Sequence, residues 1–275
     1  MLSYRHAFHA GNFADVLKHL ILAKTLHYMT QKPTPILYID THAGTGRYPI
    51  GNSMSQKTGE FERGVGAVKE QLLDSEFAPY GEILKRHLSN GHYPGSPQIA
   101  ADLLGPRDQL RLFELHSTDF PRLSQWAGAD RRIKVSQSNG HLALKSLLPA
   151  IKGRALVLMD PSFEVKQEYK QAVASLGEGH KRMPNATFLL WYPVVQRTQI
   201  VDMIKQLRQR PIKDVWQFEL CLSPDTPDHG MTGSGIIAIN PPWTLATELS
   251  ALLPRLQQWF APEEGHHTIQ NLIPE

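Results

Sequence analysis

Residues 155–164 read ALVLMDPSFE, and this stretch decides the fold. The five apolar residues 155–159 have the length and composition of a strand buried on both faces. Asp160 and Pro161 end it, because proline donates no ladder hydrogen bond. Ser162 and Phe163 complete a stiff turn. A carboxylate, a rigid backbone and a flat ring therefore stand together at the carboxyl end of a buried strand. In an open α/β sheet that edge binds ligands. The same groups suit a planar, amine-bearing ring such as adenine. The plain alternative is an ordinary strand, a proline turn and a core Phe.

Outward from this stretch, strands alternate with helices. Residues 35–40 (PILYID) read as the first strand, and Thr41, His42, Ala43, Gly44, Thr45 and Gly46 follow as a glycine-bearing turn. Glycine lets backbone approach a ligand closely. The turn is neither GxGxxG nor a Walker sequence, so it predicts no triphosphate site. Residues 110–113 form a strand ending in Glu114. Residues 133–136 form another, followed by Ser138, Asn139, Gly140 and a helix to Leu148. Beyond the 155–159 strand come a long helix to about Gly177, a strand over 186–191 ending at Tyr192 and Pro193, and a helix to Arg210. Strands over 214–222 and 235–240 are joined by a loop without a helix, so that pair is antiparallel. Residues 244–260 are the final helix. The pattern predicts an α/β fold with a mainly parallel, doubly wound sheet and an antiparallel last strand.

One region breaks the alternation. Residues 50–90 show no strand, only helical patterns over 65–73 and 83–88. That is longer than an ordinary crossover. Residues 47–95 read as a helical insertion within a single domain spanning 1–275, and as a surface for a large substrate. The insertion ends in Tyr93, Pro94, Gly95, Ser96 and Pro97, a turn opening a helix over 98–104 with Ser96 as N-cap. At the front of the chain, Asn12 is an N-cap for a helix carrying Phe13, Val16, Leu17, Leu20 and Ile21. Lys18 and His19 lie beside that stripe, where a solvated lysine and a half-buried histidine are the plain reading. Tyr4, Arg5, His6, Phe8 and His9 crowd the start, either frayed or folded back over a site.

Composition narrows the function classes. The 275 residues are 41% hydrophobic and 20% charged, enough to bury a core and too apolar for disorder. A net charge of +3 is compatible with nucleic acid. The 13 histidines add positive charge below neutral pH where they are free to titrate. One cysteine, Cys221, excludes an internal disulfide framework and points to a reducing compartment. The polar opening residues lack a signal-peptide core, and no apolar run reaches the ~20 residues of a membrane span. A soluble, cytoplasmic protein is expected. Neither HExxH nor a cysteine-rich spacing is present, so no metal is expected. The absent GxSxG excludes a serine hydrolase elbow.

Asp40, Glu114, Asn139 and Asp160 fall at one edge of a parallel sheet. An acid after the second strand suits two ribose hydroxyls, and Asn139 can accept from an adenine amine. This is the layout of an S-adenosylmethionine pocket. Asn240, Pro241, Pro242 and Trp243 match an amino-methyltransferase turn by letters, but they follow the last strand rather than the fourth and are assigned a structural role.

The opening MLSYRHAFHAGNFADVLKH, then YIDTHAGTGRY, YPGSP, FELH, DPSFE, LWYPVV and GMTGSGIIAINPPW, resemble nearly end to end the RlmJ family of bacterial 23S ribosomal RNA (adenine-N6)-methyltransferases. The resemblance implies a Rossmann-like, S-adenosylmethionine-dependent methyltransferase fold with a small helical insertion, acting on free or immature 23S ribosomal RNA. By motif position it places cofactor contacts on His19, His42, Ser96, Glu114, Asn139, Gly140 and Asp160, with Lys18 beside them. It makes Asp160 the catalytic acid, in a turn with Pro161 and Phe163, and puts Tyr4 against the substrate nucleotide. Three positions depart from the family: Ser162-Phe163 replaces Pro-Tyr, and Asn139 replaces Asp. Phe163 keeps a stacking face and Asn139 keeps an acceptor. Arg131, Arg132, Lys166, Lys181 and Arg182 are candidates for phosphate contacts. A monomer with no membrane partner is expected. A DNA adenine-N6 methyltransferase needs the same pocket, but no separate target-recognition domain is present. An RNA-binding protein that holds cofactor without turnover is the non-enzyme alternative.

Overall fold

The computed structural model describes residues 6–51, 59–128, 130–150, 153–226 and 230–275. Tyr4 lies outside them. Ten strands are described: β1 (Ile36–Asp40), β2 (Arg47–Pro49), β3 (His92–Pro94), β4 (Gln109–Phe113), β5 (Ile133–Ser136), β6 (Arg154–Met159), β7 (Thr187–Val194), β8 (Val215–Cys221), β9 (Gly233–Ile239) and β10 (His266–Ile273). Eight build one sheet in the order β10-β8-β9-β7-β6-β1-β4-β5. β5, β4, β1, β6 and β7 pair in parallel, while β9 runs against both its neighbours and β10 runs against β8. Among the described residues, no helix is long and apolar enough to cross a membrane.

β6 lies near the middle because nothing in it tolerates water. Leu156, Val157, Leu158 and Met159 are fully buried, each worth roughly 1.5–3 kcal/mol relative to exposure. Alternate residues feed two layers: Leu156 and Leu158 face the core under the helix Phe13–Thr30, and Val157 and Met159 face the helices Gln167–Arg182 and Arg197–Arg208. The helix Phe13–Thr30 is covered on almost every side. Lys18 and His19 are 3% and 1% exposed, so the plain reading of a solvated lysine and a half-buried histidine is wrong.

The structure corrects the sequence reading at four places. The region 47–95 is bounded by two short strands, β2 and β3, which pair with each other and close its base. Among its described residues the helices are Glu60–Arg63, Val65–Val68 and Tyr80–Leu88, with 3-10 turns at Gln71–Leu73 and Ser75–Phe77. The following helix starts at Ser96, capped by Gly95. Ser96 is not the N-cap because its hydroxyl donates instead to Asp40 Oδ2 at 2.7 Å. β7 runs through Pro193 to Val194, since β6 pairs no further than Leu190 and the proline nitrogen meets an open side. Finally, β10 adds an edge strand after the last helix, Leu245–Phe260, with a mostly polar, half-exposed pattern that hides it in sequence.

Topology also separates the two proline turns. Ile239 at the end of β9 pairs with Phe188 at the start of β7. Asn240 therefore lies at the sheet edge opposite Asp160. Its Nδ2 donates to the carbonyls of Pro184 at 2.6 Å and Ala186 at 2.9 Å, and Thr187 Oγ1 donates to its carbonyl at 2.8 Å. Asn240 ties the entry of β7, and Trp243 is 80% exposed.

Candidate active site

The carboxyl ends of β1, β4, β5 and β6 bring Asp40, Glu114, Asn139 and Asp160 to one edge. The turn after β1 is locked down first. Thr41 N and Oγ1 both donate to Leu158 O, and Ala43 N donates to Phe113 O. Gly140 opens the helix Gly140–Leu147 directly against this turn, where a Cβ would collide with the Thr41 backbone. Asn139 caps that helix, accepting from His141 N at 2.9 Å.

Glu114 accepts from Gly44 N at 2.9 Å and from His116 N at 2.7 Å. Each carboxylate oxygen keeps a further lone pair for a ligand hydroxyl. Burial pushes its pKa up to about 7, although both amides act to lower it. Burial likewise lifts Asp40 to about 6, against the hydroxyls of Ser96 and Tyr38 that donate to it. Asp40 is thus a support under Ser96 and the His42 amide, not an exposed ligand. His19 and His42 are pushed down to about 3 by burial, and His141 to about 4. These three imidazoles are neutral at pH 7, so they withhold the positive charge that a histidine count suggests. His19 Nδ1 is hydrogen-bonded to the Tyr93 hydroxyl at 2.7 Å, and the His42 and His141 rings meet edge to face at 4.9 Å.

Asp160 follows β6 and is held by Lys18, whose Nζ donates to Oδ2 at 2.6 Å. Lys18 also pairs with Asp15 Oδ1 at 2.8 Å, and Asp15 Oδ2 meets His6 Nε2 at 2.9 Å. Burial opposes the charge on Lys18, but the two carboxylates hold its pKa above the ordinary lysine value. Burial raises Asp160, with Lys18 acting to keep it ionised. Phe163 adopts a positive φ of 51°. Its ring is held by Tyr169 at 4.4 Å and Trp191 at 6.0 Å.

Among the described residues, two cavities meet at this edge. The first is lined by the 41–44 turn, His19, Ser96, Glu114, Asn139 and Gly140. The second, about 840 Å³, is lined by Phe163, Trp191, Pro193, Asn12 and Phe260. Lys18, Asp160, Ser162 and His6 belong to both, so the Lys18–Asp160 pair stands in the shared wall. The first cavity fits an adenosyl sulfonium. It offers a carboxylate for a ribose diol, a close-packed turn for a flat ring, and the buried His141 Nδ1 without a partner in its wall.

All eight residues assigned to the cofactor by sequence, His19, His42, Ser96, Glu114, Asn139, Gly140, Asp160 and Lys18, line the first cavity. Phe163 faces the second. Tyr4 falls outside the described residues. Asp15 and Trp191 were missed: Asp15 sits one helical turn before Lys18 and reads as first-turn decoration, and Trp191 reads as strand interior. Two of the proposed phosphate residues are otherwise engaged. Arg132 is fixed to Asp130 and to the carbonyls of Leu104 and Ala101, and Arg182 pairs with Glu178 at 3.0 Å.

Comparison with known proteins agrees with this architecture. Ribosomal RNA large subunit methyltransferase J of Escherichia coli (strain K12) is 42% identical over 280 residues, covering all of both chains. The protein of the same name from Haemophilus influenzae is 41% identical over 281 residues, again covering both chains completely. A crystal structure of a Legionella pneumophila protein superposes with a TM-score of 0.88 at 32% identity, covering 96% of this chain and 98% of that one. The family model described as Ribosomal RNA large subunit methyltransferase D, RlmJ, matches residues 33–273, and the chain belongs to that family.

Proposed function

We propose that this protein transfers the methyl group of S-adenosylmethionine to N6 of an adenine in 23S ribosomal RNA, acting as a monomer on free or partly assembled RNA. The observation that carries the reading is Asp160 and its proline turn in the wall between two cavities, one fitted to the cofactor and one open to a base. Full-length similarity to two proteins named ribosomal RNA large subunit methyltransferase J supports the RNA substrate.

The cofactor, when bound, supplies an electrophilic methyl group on sulfur. Glu114 holds the ribose hydroxyls, and the Asn139-Gly140 turn lies against the adenine. The target base enters the second cavity. Its amine is a weak nucleophile, because its lone pair is delocalised into the ring. Lys18 occupies Asp160 Oδ2, while Oδ1 has no donor among the described residues. Oδ1 accepts one N6 hydrogen and the Pro161 carbonyl accepts the other, which turns the lone pair toward the methyl group. Phe163 stacks the base. Acceleration comes from in-line positioning of two bound reactants and from acceptors aimed at the positive charge developing on N6. The nitrogen then loses one proton through Asp160 to solvent. The base must leave its stack, which favours loops and single strands.

The test is transfer of labelled methyl from S-adenosylmethionine to protein-free 23S rRNA, with assembled large subunits and duplex DNA in parallel and nucleoside analysis of each product. N6-methyladenosine in free rRNA, lost in Asp160→Ala, is the expected result. Label in duplex DNA alone, or no transfer by protein that binds cofactor, sinks the proposal.

A further inference from the structure

A groove of about 500 Å³ lies next to the cofactor cavity, and Tyr48 lines both. Its other walls carry Arg47, His92, Arg122 and Trp126. No carboxylate of the described residues lines it. Arg47 comes from β2 and Arg122 from the helix Asp119–Ala127, elements far apart in sequence that converge on one concavity. Both arginines are exposed. Neither forms an ion pair among the described residues, whereas Arg132, Arg182, Arg197 and Arg255 all do. Two like charges facing one hollow repel each other until an anion joins them.

Trp126 is fixed in the same groove. Its Nε1 donates to Gln98 Oε1 at 2.7 Å, and Gly46 packs so tightly on the ring that no Cβ fits there. The groove therefore offers two guanidinium groups and an immobile indole beside the active cleft. Guanidinium forks match phosphate oxygens, and indole carries bases or sugars without reading sequence. The link to the cleft is short: the Tyr48 ring meets the His6 ring edge to face at 5.3 Å, and His6 lines both active-site cavities.

We infer that this groove is a second RNA subsite, in which Arg47 and Arg122 hold a backbone phosphate of the unpaired strand flanking the target adenine and Trp126 supports its nucleoside. The inference rests on the RNA-methyltransferase reading above. Its occupant is single-stranded RNA; the site contributes grip and no chemistry.

The experiment measures binding of a protein-free 23S rRNA fragment by the full-length Arg47→Ala/Arg122→Ala protein across 50–200 mM salt, with the methylation KM and the S-adenosylhomocysteine Kd. Lys205→Ala/Arg208→Ala, on the opposite face of the sheet, removes the same charge as a control. Losing the single-strand phosphate that the two arginines share flattens the log–log salt slope by about 0.7 and weakens RNA binding about tenfold. KM rises with it, and the cofactor Kd stays unchanged. A slope and KM equal to those of the control protein overturn the inference. Wild-type protein that binds RNA without methylating it refutes the chemical reading alone, and the slopes still judge the groove. Wild-type protein that binds no RNA overturns both.

Discussion

Lys18 Nζ stands 2.6 Å from Asp160 Oδ2 and 2.8 Å from Asp15 Oδ1, so one buried ammonium joins the helix Phe13–Thr30 to the end of β6. Removing that cation leaves buried Asp160 Oδ2 without its donor and reduces Asp15 to its bonds from His6 and the Gly11 amide. Removing Asp160 strands none, because Lys18 keeps Asp15. Lys18→Met should therefore cost about 3–5 kcal/mol, the range for breaking a buried pair, and Asp160→Asn distinctly less. Urea unfolding at pH 7 measures both. Equal costs would show that the pair contributes no more than its parts.

Glu114 gives the site a pH dependence. In the proposed cofactor site, ribose hydroxyls would donate to the ionised carboxylate, yet burial pushes its pKa up to about 7. Below that value the acid is protonated and accepts poorly, so cofactor affinity falls as pH drops. From pH 8 to pH 6 the S-adenosylhomocysteine Kd should rise about tenfold. In Glu114→Gln the affinity should be weaker throughout and flat over the same range. Calorimetric titration at several pH values decides it, and a flat wild-type profile refutes the assignment.

Much of this was legible before the structure, for physical reasons that differ by element. β1 and β6 are apolar runs closed by an acid, β4 and β5 alternate apolar with charged residues ahead of Glu114 and Asn139, and parallel pairing must then bring Asp40, Glu114, Asn139 and Asp160 to one edge. β2 and β3 were not legible. They are three residues each, two of the six residues are proline, and they pair only with each other, across more than forty intervening positions. β10 was hidden by its polar edge pattern. The Lys18–Asp160 pair spans 142 positions, which no local pattern encodes. Ser96 read as a cap because serine prefers that role, but a carboxylate 56 residues away claimed its hydroxyl.

Gly140 tests whether the Asn139-Gly140 turn holds cofactor. A Cβ there would overlap both the carbonyl oxygen and the Cα of Thr41, which is tied to Leu158 O and cannot retreat cheaply. Gly140→Ala must instead push the helix Gly140–Leu147 away from β1. Cofactor affinity should drop at least about tenfold, with a stability loss of about 1–3 kcal/mol from overpacking. Affinity unchanged at full occupancy of the folded state would remove this turn from the cofactor site.

A change at Phe163 tests the proposed base stacking separately from cofactor binding. It lines the second cavity and not the first, and Tyr169 and Trp191 hold its ring while its backbone sits at positive φ. Phe163→Ala removes the ring and leaves Asp160 and Pro161 in place. A lost base–aromatic stack costs about 1–3 kcal/mol, which predicts a 5- to 150-fold fall in kcat/KM for RNA, on the order of that energy. The S-adenosylhomocysteine Kd should stay within about twofold of wild type, because the ring touches no cofactor wall. Phe163→Tyr should retain nearly all the activity, since the stacking face is preserved. Equal losses in cofactor affinity and in kcat/KM would mean that the ring acts by shaping the 160–163 turn rather than by stacking the base.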